Sequence, residues 1–270
     1  MADGGALRAH LVAAGLAGRV TTSREKSLRS YALFAARDPR QTLGLDPEGV
    51  WDAGALLALM ADRCGVSPDP AHTSGQDVID PDCTMAALDA FAERLARAAR
   101  DRIPVLLGTG HPDRLLGFYG ALAAALSAAG CAVLTPGYGR CVDVPTPFGV
   151  RRHVLRYIAG VAVLRHAEPG DPPRQGAHTH SPLPVRVALA AAAERGGVLP
   201  GLVVGDHGFL CGAGQLGFDA IGLGDSDDPA VFVAEAEGRV AVAVPLDDSA
   251  RADDYRPLSR YVLRRAWLVQ

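Results

Sequence analysis

Short apolar runs that end in glycine and a polar residue alternate with amphipathic stretches through residues 103–270. Such runs are typical of buried parallel strands, and the stretches between them have the spacing of helices. Strands are predicted over residues 103–107, 132–135, 161–164, 201–204, 220–223 and 240–244. This alternation predicts an α/β fold with a doubly wound, mostly parallel, Rossmann-like sheet.

The first hundred residues have a different pattern, which is mostly helical. Helices are predicted over residues 6–16, 25–36, 52–64 and 84–100, with a loop over 71–82. We therefore expect residues 1–101 to form a helical N-terminal cap or extension and residues 102–270 to form the Rossmann-like domain that carries the site. The glycine-rich and proline-rich segment 136–149 is either a lid or binding loop or a bare connection.

Histidine and aspartate follow the predicted strands at the points where they end. The residues in question lie in Gly108-Thr109-Gly110-His111-Pro112, in His178-Thr179-His180, in Asp206-His207 and in Gly224-Asp225. Because open α/β sheets bind ligands at the carboxyl ends of their strands, these side chains are expected to meet at one edge. That edge is the predicted active site.

The spacing of the histidines favours a metal ion. In an extended loop His178 and His180 point the same way, so both imidazoles can bind one ion, with His111 and Asp206 nearby. Three histidines and an aspartate suit Zn, Mn or Fe better than Mg. A metal-free site is the alternative, with His207 as general acid or base and a histidine pair that binds phosphate directly.

The Gly-Thr-Gly-His loop between a strand and a helix predicts an anion site. Backbone amides at Thr109 and Gly110 and the helix N-terminus can hold phosphate. The loop lacks both the Walker pattern and the Gly-x-Gly-x-x-Gly pattern, so no nucleotide cofactor is expected. Arg24 either belongs to a solvated basic face or clamps the phosphate, and Arg140 is a second candidate for substrate binding.

The acidic residues after the last three predicted strands are assigned partly to the active site and partly to helix caps and turns. Asp206, Asp225 and His207 are the predicted catalytic residues. Asp227 or Asp228 is expected to cap the helix that begins near Pro229. The pair Asp247 and Asp248 is interpreted mainly as a solvated turn.

Composition narrows the function further. The chain has 270 residues, a formal net charge of −3 and no basic run, which argues against nucleic acid and anionic membrane as partners. Lys26 is the only lysine, which argues against Schiff-base and P-loop chemistry. Five cysteines without a Cys-x-x-Cys spacing predict reduced thiols in the cytoplasm, and Cys211 in an apolar setting is predicted to be inert. The sequence leaves the oligomeric state open, and a homo-oligomer is one of the alternatives.

The motifs resemble an actinobacterial family of proteins known simply as phosphatases. The likeness rests on Gly-Thr-Gly-His-Pro, His-Thr-His-Ser, Asp-His-Gly, Asp-Pro-Ala and Val-Pro-Leu-Asp-Asp, and covers nearly the whole chain. The resemblance implies a phosphate-ester substrate. Lys26 and Asp227 stand where the family pattern has asparagine-containing segments, and the loop after Thr135 is longer, so substrate choice is expected to differ.

The predicted function is hydrolysis of a small phosphorylated metabolite, such as a nucleotide or sugar phosphate, in the biosynthesis of a secondary metabolite. Here His111, His178, His180 and Asp206 hold the ion and His207 protonates the leaving oxygen. One alternative is an isomerase or lyase that uses His207 and Asp225 as acid and base. The other is a protein that binds an anion without turnover.

Overall fold

A computed structural model describes residues 2–146, 149–166, 176–194 and 196–269 of the chain. Its α-helices are α1 Ala2–Ala13, α2 Arg24–Ala35, α3 Pro39–Thr42, α4 Ala53–Cys64, α5 Pro81–Arg100, α6 Pro112–Ala128, α7 Leu183–Glu194, α8 His207–Gln215, α9 Pro229–Ala236 and α10 Arg256–Arg265. The strands are β1 Gly18–Ser23, β2 Gln76–Ile79, β3 Val105–Gly108, β4 Cys141–Thr146, β5 Gly149–Ile158, β6 Val161–His166, β7 Leu202–Asp206, β8 Ala220–Gly224 and β9 Val242–Pro245.

Seven strands form the central sheet in the order β4-β5-β6-β3-β7-β8-β9. The five strands from β6 to β9 in this order are parallel to one another, whereas β5 pairs antiparallel with both β4 and β6. β3, β7, β8 and β9 are buried along their whole length, because helices cover both faces of the sheet. The predicted mostly parallel α/β fold is confirmed.

The order of the strands reverses at β3. From this strand the chain moves to β6 on one side and later returns to β7 on the other. Leu115 of α6 belongs to one hydrophobic core and Leu210 of α8 to the other, so the helices that follow β3 and β7 cover opposite faces. Such a reversal leaves a crevice at the carboxyl ends of the two strands, where α/β sheets bind ligands.

Both hydrophobic cores include residues from the first hundred. Leu11 and Leu88 lie in the core that contains α6, and Tyr31 and Met60 lie in the core that contains α8. These residues follow the helical spacing that the sequence predicts, since each helix buries one stripe. The division of the chain at residue 101 stays a prediction.

The segment after Pro136 contains regular structure that the sequence analysis did not predict. β4 pairs with β5 along six residues, from Cys141 opposite Val154 to Thr146 opposite Gly149. In β4 buried and exposed residues alternate, as in a strand with one covered face. The expectation of an irregular loop is therefore wrong for Cys141–Thr146, and the proline and glycine content had obscured the alternation.

The predicted strand over residues 132–135 is reduced to a single bridge between Val133 and Val105. Pro136 has no N–H to continue a ladder, and Gly137 and Gly139 turn the chain with φ values of 70° and 84°. Likewise, the predicted loop 71–82 contains β2, which pairs antiparallel with β1 in a separate two-stranded sheet. The sequence patterns thus missed the short strands β1, β2 and β4 and also the ten-residue strand β5.

Among the described residues, no helix combines the length and the apolar character needed to cross a bilayer.

A substitution far from the strand ends tests the packing of the helical layer on the sheet. Phe91 of α5 is fully buried and its ring lies 6.4 Å from that of Phe118. Because Phe91→Ala leaves a large void, we expect the free energy of unfolding to fall by about 3–5 kcal/mol. Urea denaturation measures this loss. The control Val12→Ala, at a side chain that is 48% exposed, should change stability by less than about 0.5 kcal/mol.

Candidate active site

Four imidazoles converge at the carboxyl edge of the sheet. The ring of His111, after β3, lies 4.1 Å from that of His178 and 4.3 Å from that of His207, measured between centroids. The ring of His180 lies 4.3 Å from that of His207. The structure thus brings together side chains from three separate strand ends. The predicted convergence of these histidines is what the structure shows.

Two glycines allow the backbone around His178 and His180 to pass close to the residues that follow β3 and β7. A Cβ atom at Gly110 would lie 2.2 Å from the carbonyl oxygen of Thr179, and one at Gly208 would lie 2.2 Å from that of His180. The amide of Thr179 also donates to the carbonyl oxygen of Gly110. Any side chain at either glycine would push the histidine segment away, so these positions require glycine.

Asp206, the last residue of β7, connects two of the histidines. Its Oδ2 atom lies 3.2 Å from Nδ1 of His111 and 3.1 Å from Nδ1 of His207, and the amide of Gly110 donates to both carboxylate oxygens. Burial alone would raise the pKa of Asp206, but the hydrogen bonds from His111 and His207 lower it. The ionised carboxylate therefore accepts from both Nδ1 atoms and leaves both Nε2 atoms to face the site.

His207 lies at the start of α8 with φ at 46°, in the left-handed region that is costly for a residue with a side chain. Its ring is buried, and Nε2 lies 3.0 Å from Oδ2 of Asp228 and 3.2 Å from Oδ2 of Asp248. Burial alone would lower the pKa of His207, but the charge of Asp228 and the hydrogen bonds of Asp206 raise it well above its usual value. Both ring nitrogens are engaged by carboxylates, which does not support the predicted transfer of a proton to a leaving oxygen.

His178 and His180 are electrostatically different from His207. Desolvation and the neighbouring imidazoles lower the pKa of His178 to about 4 and that of His180 to about 3. Both rings are neutral at pH 7 and carry a free lone pair. In addition, Nε2 of His180 is a buried atom without a hydrogen-bond partner in the described part of the chain. Because an unpaired buried polar atom is costly, this nitrogen fits a position reserved for a ligand.

Three groups of side chains are close enough to hold a metal ion. Their ligand atoms lie within 4.8 Å of one another, and the groups are His111 with His178 and His180, His111 with His207 and Asp248, and His180 with His207 and Asp228. The first group is the predicted set of imidazoles. Neutral nitrogen ligands with carboxylates nearby are the donors that Zn, Mn and Fe accept.

The predicted phosphate cradle has its amides already in use. The N–H of Thr109 donates to the carbonyl oxygen of Ala162, that of Gly110 donates to Asp206, and that of His111 donates to Oγ1 of Thr109. A phosphate at this loop would have to replace these internal acceptors. Gly110 thus holds Asp206 in place, and Thr109 holds His111. The amides of Thr109 and Gly110 therefore have no free N–H group for the predicted contact with phosphate.

Asp225 is buried behind the histidines rather than in contact with them in the described structure. Its Oδ2 accepts from Oγ1 of Thr22 at 2.6 Å, and its Oδ1 accepts from the amide of Ser226 at 2.6 Å. Burial, followed by the charges of Asp248 and Asp227, raises the pKa of Asp225 well above its usual value. These bonds tie the strand end to the N-terminal segment, and the catalytic role of Asp225 stays a prediction.

Asp228 and Asp248 are the site residues that the sequence analysis missed. Asp228 occupies the first capping position of α9, yet its side chain turns to His207 and to the amide of Asp225 instead of capping the helix. The expectation of a solvated turn at Asp247 and Asp248 is wrong, since their exposed fractions are 0% and 9%. Asp228 follows the end of β8 and Asp248 follows the end of β9. This shared position after a strand is the sequence feature that could have identified both residues.

The two predicted arginines lie elsewhere. The side chain of Arg24 is fully buried, donates to the carbonyl oxygens of Ser67 and His72, and lies 3.6 Å from Asp77. Arg140 forms an ion pair with Glu194 and lines a different cavity, of about 550 Å³, with Tyr138. The structure does not bring either guanidinium to the histidines, so the predicted phosphate clamp lacks support.

A cavity opens beside the exposed face of the histidine cluster. Its volume is about 590 Å³, and His178, Thr179 and His180 form one wall. α3 and β4 supply the other walls through Pro39–Gln41 and Val144–Thr146. The cavity is large enough for a small organic molecule whose charged end contacts the imidazoles.

Sequence comparison assigns the chain to a known class of protein. The chain belongs to the family described as Phosphatase, which matches residues 2–270. A protein of Streptomyces coelicolor that carries the name phosphatase is 41% identical over 267 residues, which cover 97% of this chain and 95% of that protein. The resemblance stated from the motifs is confirmed, and with it the class of enzyme.

The addition of one methyl group at Gly110 tests whether the loop after β3 positions the histidines of the site. Gly110→Ala places its Cβ on the carbonyl oxygen of Thr179 and should displace His178 and His180. Because a shift of about 1 Å at a reacting centre costs roughly 100-fold, we expect phosphatase activity to fall by that factor or more. The control Gly117→Ala lies in α6 where a Cβ meets no atom within 4 Å, and it should retain activity. Equal activity of both variants would contradict this role.

Proposed function

We propose that the enzyme hydrolyses small phosphate monoesters at a divalent metal ion held by His111, His178 and His180. The observation that carries this proposal is the convergence of these imidazoles, with the buried Nε2 of His180 unpaired in the described structure. The neutral state of His178 and His180 supports it, since a metal needs deprotonated nitrogen ligands. Zn, Mn or Fe fits this nitrogen-rich set better than Mg.

The reaction adds water to phosphorus and breaks the ester P–O bond, which yields an alcohol and inorganic phosphate. A bound divalent ion lowers the pKa of water and neutralises charge on the phosphoryl oxygens. The protein contributes orientation: Asp206 accepts from Nδ1 of His111 and fixes the direction in which its Nε2 points. The glycine loop then fixes the position of Asp206 through the amide of Gly110.

The substrate is proposed to be small because the adjoining cavity holds about 590 Å³. Its phosphate would contact the ion, and its organic part would lie against α3 and β4. A nucleotide or sugar phosphate and a role in secondary metabolism stay predictions. So does a cytoplasmic location, which the five free cysteines support.

Hydrolysis is favoured over the isomerase or lyase alternative. That alternative needs His207 and Asp225 as a free acid and base, but carboxylates engage both nitrogens of His207, and Thr22 and Ser226 engage Asp225. Family membership also supports hydrolysis. Release of inorganic phosphate together with the intact alcohol, each in an amount equal to the substrate consumed, distinguishes hydrolysis from isomerisation and elimination. A non-catalytic anion-binding protein would release none.

The proposal predicts a specific requirement for metal. His180→Ala removes the ligand with the unpaired nitrogen, and we expect activity to fall by more than about 100-fold together with the bound metal. Activity toward a panel of phosphate monoesters and metal content by elemental analysis are the two measurements. His72→Ala, at a histidine outside the cluster, is the matched control and should retain both. Full activity of His180→Ala, or of wild-type enzyme after exhaustive chelation, would refute the metal centre.

A further inference from the structure

The surroundings of His207 contain a second set of metal ligands. Nε2 of His207 faces Oδ2 of Asp228 and Oδ2 of Asp248 at 3.0 and 3.2 Å. A single ring nitrogen carries at most one proton, so it cannot donate a full hydrogen bond to both carboxylates at once. A cation that binds this nitrogen can be shared by both oxygens. The same geometry is therefore better suited to a metal ion than to a proton.

The opposite side of the ring has the arrangement found behind metal-bound histidines. Nδ1 of His207 lies 3.1 Å from the carboxylate of Asp206, which also accepts a hydrogen bond from Nδ1 of His111. A metal ligand histidine almost always donates its second N–H to such an acceptor, which fixes the tautomer and the ring direction. Asp206 thus orients His111 and His207 in the same way, and both rings present Nε2 toward the site.

The buried negative charge of the site requires more than one cation. Asp206, Asp228 and Asp248 are all at most 9% exposed. In the described part of the chain, no lysine or arginine forms an ion pair with any of the three, and their cationic neighbours are the histidines. Buried carboxylates are stable when they are paired or coordinate metals. A first ion on His111, His178 and His180 leaves Asp228 and Asp248 without an ion of their own.

We propose that a second divalent cation binds His207, Asp228 and Asp248 beside the first, so that the enzyme has a two-metal centre. This inference rests on the proposed function, because it assigns the remaining ligands of the same site. Two adjacent ions stabilise both the attacking and the leaving oxygen in phosphoryl transfer. The role of His207 is then that of a metal ligand and not of a general acid.

The metal content of the wild-type enzyme loaded with Mn²⁺ tests the second position. We expect two Mn²⁺ per chain, and an electron paramagnetic resonance spectrum with the exchange coupling of neighbouring ions. Asp248→Ala should reduce the content to one Mn²⁺ per chain and abolish the coupling. The control Asp227→Asn changes a neighbouring carboxylate that pairs with Lys26, and it should retain two.

Two outcomes separate the two proposals. One Mn²⁺ per chain without coupling in the wild type would overturn the second position and leave the first intact. No bound Mn²⁺, with Zn²⁺ and Fe²⁺ also absent after reconstitution, would overturn both. If Asp248→Ala fails to fold, the wild-type stoichiometry and spectrum still decide the question.

A different observation concerns the substrate. Five apolar residues line the cavity beside His178 and His180, namely Pro39, Val144, Pro145, Pro182 and Leu183, and Arg40, Gln41 and three hydroxyl residues complete its walls. The hydroxyl groups in its walls have partners within the protein. Oγ1 of Thr179 and Oγ of Ser181 accept from backbone amides, and Oγ1 of Thr146 donates to the carbonyl oxygen of Gly149.

The cation in the wall of this cavity is neutralised. The guanidinium of Arg40 forms two hydrogen bonds with Asp38, at 3.0 and 2.6 Å, and this pairing lowers the pKa of Asp38 to about 2. A second anionic group on a substrate would therefore find no unpaired charge at Arg40. Sugar hydroxyls placed against proline, valine and leucine would lose hydrogen bonds to water without replacement.

From these walls we infer that the alcohol released by the enzyme is an apolar alkyl or arylalkyl group, in place of the sugar or nucleoside that the sequence analysis predicts. This second inference also rests on the proposed function, because it concerns the organic part of the same phosphate ester. Burial of apolar groups favours binding in proportion to the apolar area removed from water, so each added CH₂ group of the substrate increases the discrimination by this cavity. Continuity of the cavity with His178 and His180 places this group next to the reacting phosphate.

Competing esters of similar intrinsic reactivity test the inference. We expect kcat/KM for 3-phenylpropyl phosphate to exceed that for glycerol 3-phosphate and for AMP by at least about 10-fold. Leu183→Gln introduces a polar group into the wall and should reduce this ratio by about 10-fold. Leu199→Gln, at a side chain that is 46% exposed and outside the cavity, should leave the ratio unchanged. A preference for glycerol 3-phosphate or AMP would overturn the inference, whereas absence of activity on every ester would overturn the proposed function.

Discussion

The burial of carboxylates against imidazoles at one edge of the sheet is the constraint on which the site depends. Asp206, Asp228 and Asp248 come from the ends of β7, β8 and β9, and all three contact His207. Like charges so close together repel one another in a medium of low polarity, and each has lost its water. Positive charge must therefore be present among them, and the histidines are the cationic groups that pair with these carboxylates in the described part of the chain.

This constraint explains why the surrounding backbone is unusual. His207 adopts a left-handed conformation because its ring must reach Asp206 on one side and Asp228 on the other. Gly110 and Gly208 lack side chains because the segment with His178 and His180 passes over them. Strain and close contact of this kind are stable when the fold around them is rigid, and here two helical layers hold the sheet.

The sequence predicts the centre of this arrangement well because strand ends of parallel sheets have a common geometry. The apolar runs before His111, Asp206 and Asp225 place all three at one edge, and the structure has them there. Asp228 and Asp248 were missed because an aspartate before proline, or a pair of aspartates after a strand, is equally typical of a cap or a turn. The edge strand β4 was missed because prolines and glycines surround its alternating residues. Arg24 shows the opposite error, since a charged residue on a predicted amphipathic helix is expected to be exposed, but backbone carbonyl groups hold it inside.

The central claim is that metal ions occupy the space between these side chains, and anomalous X-ray diffraction from crystals of the purified enzyme tests it most directly. Data collected at the absorption edge of the bound metal should show a peak within coordination distance of Nε2 of His180. A second peak should lie between His207, Asp228 and Asp248. A crystal of active enzyme without anomalous density near any of the four imidazoles would contradict the account.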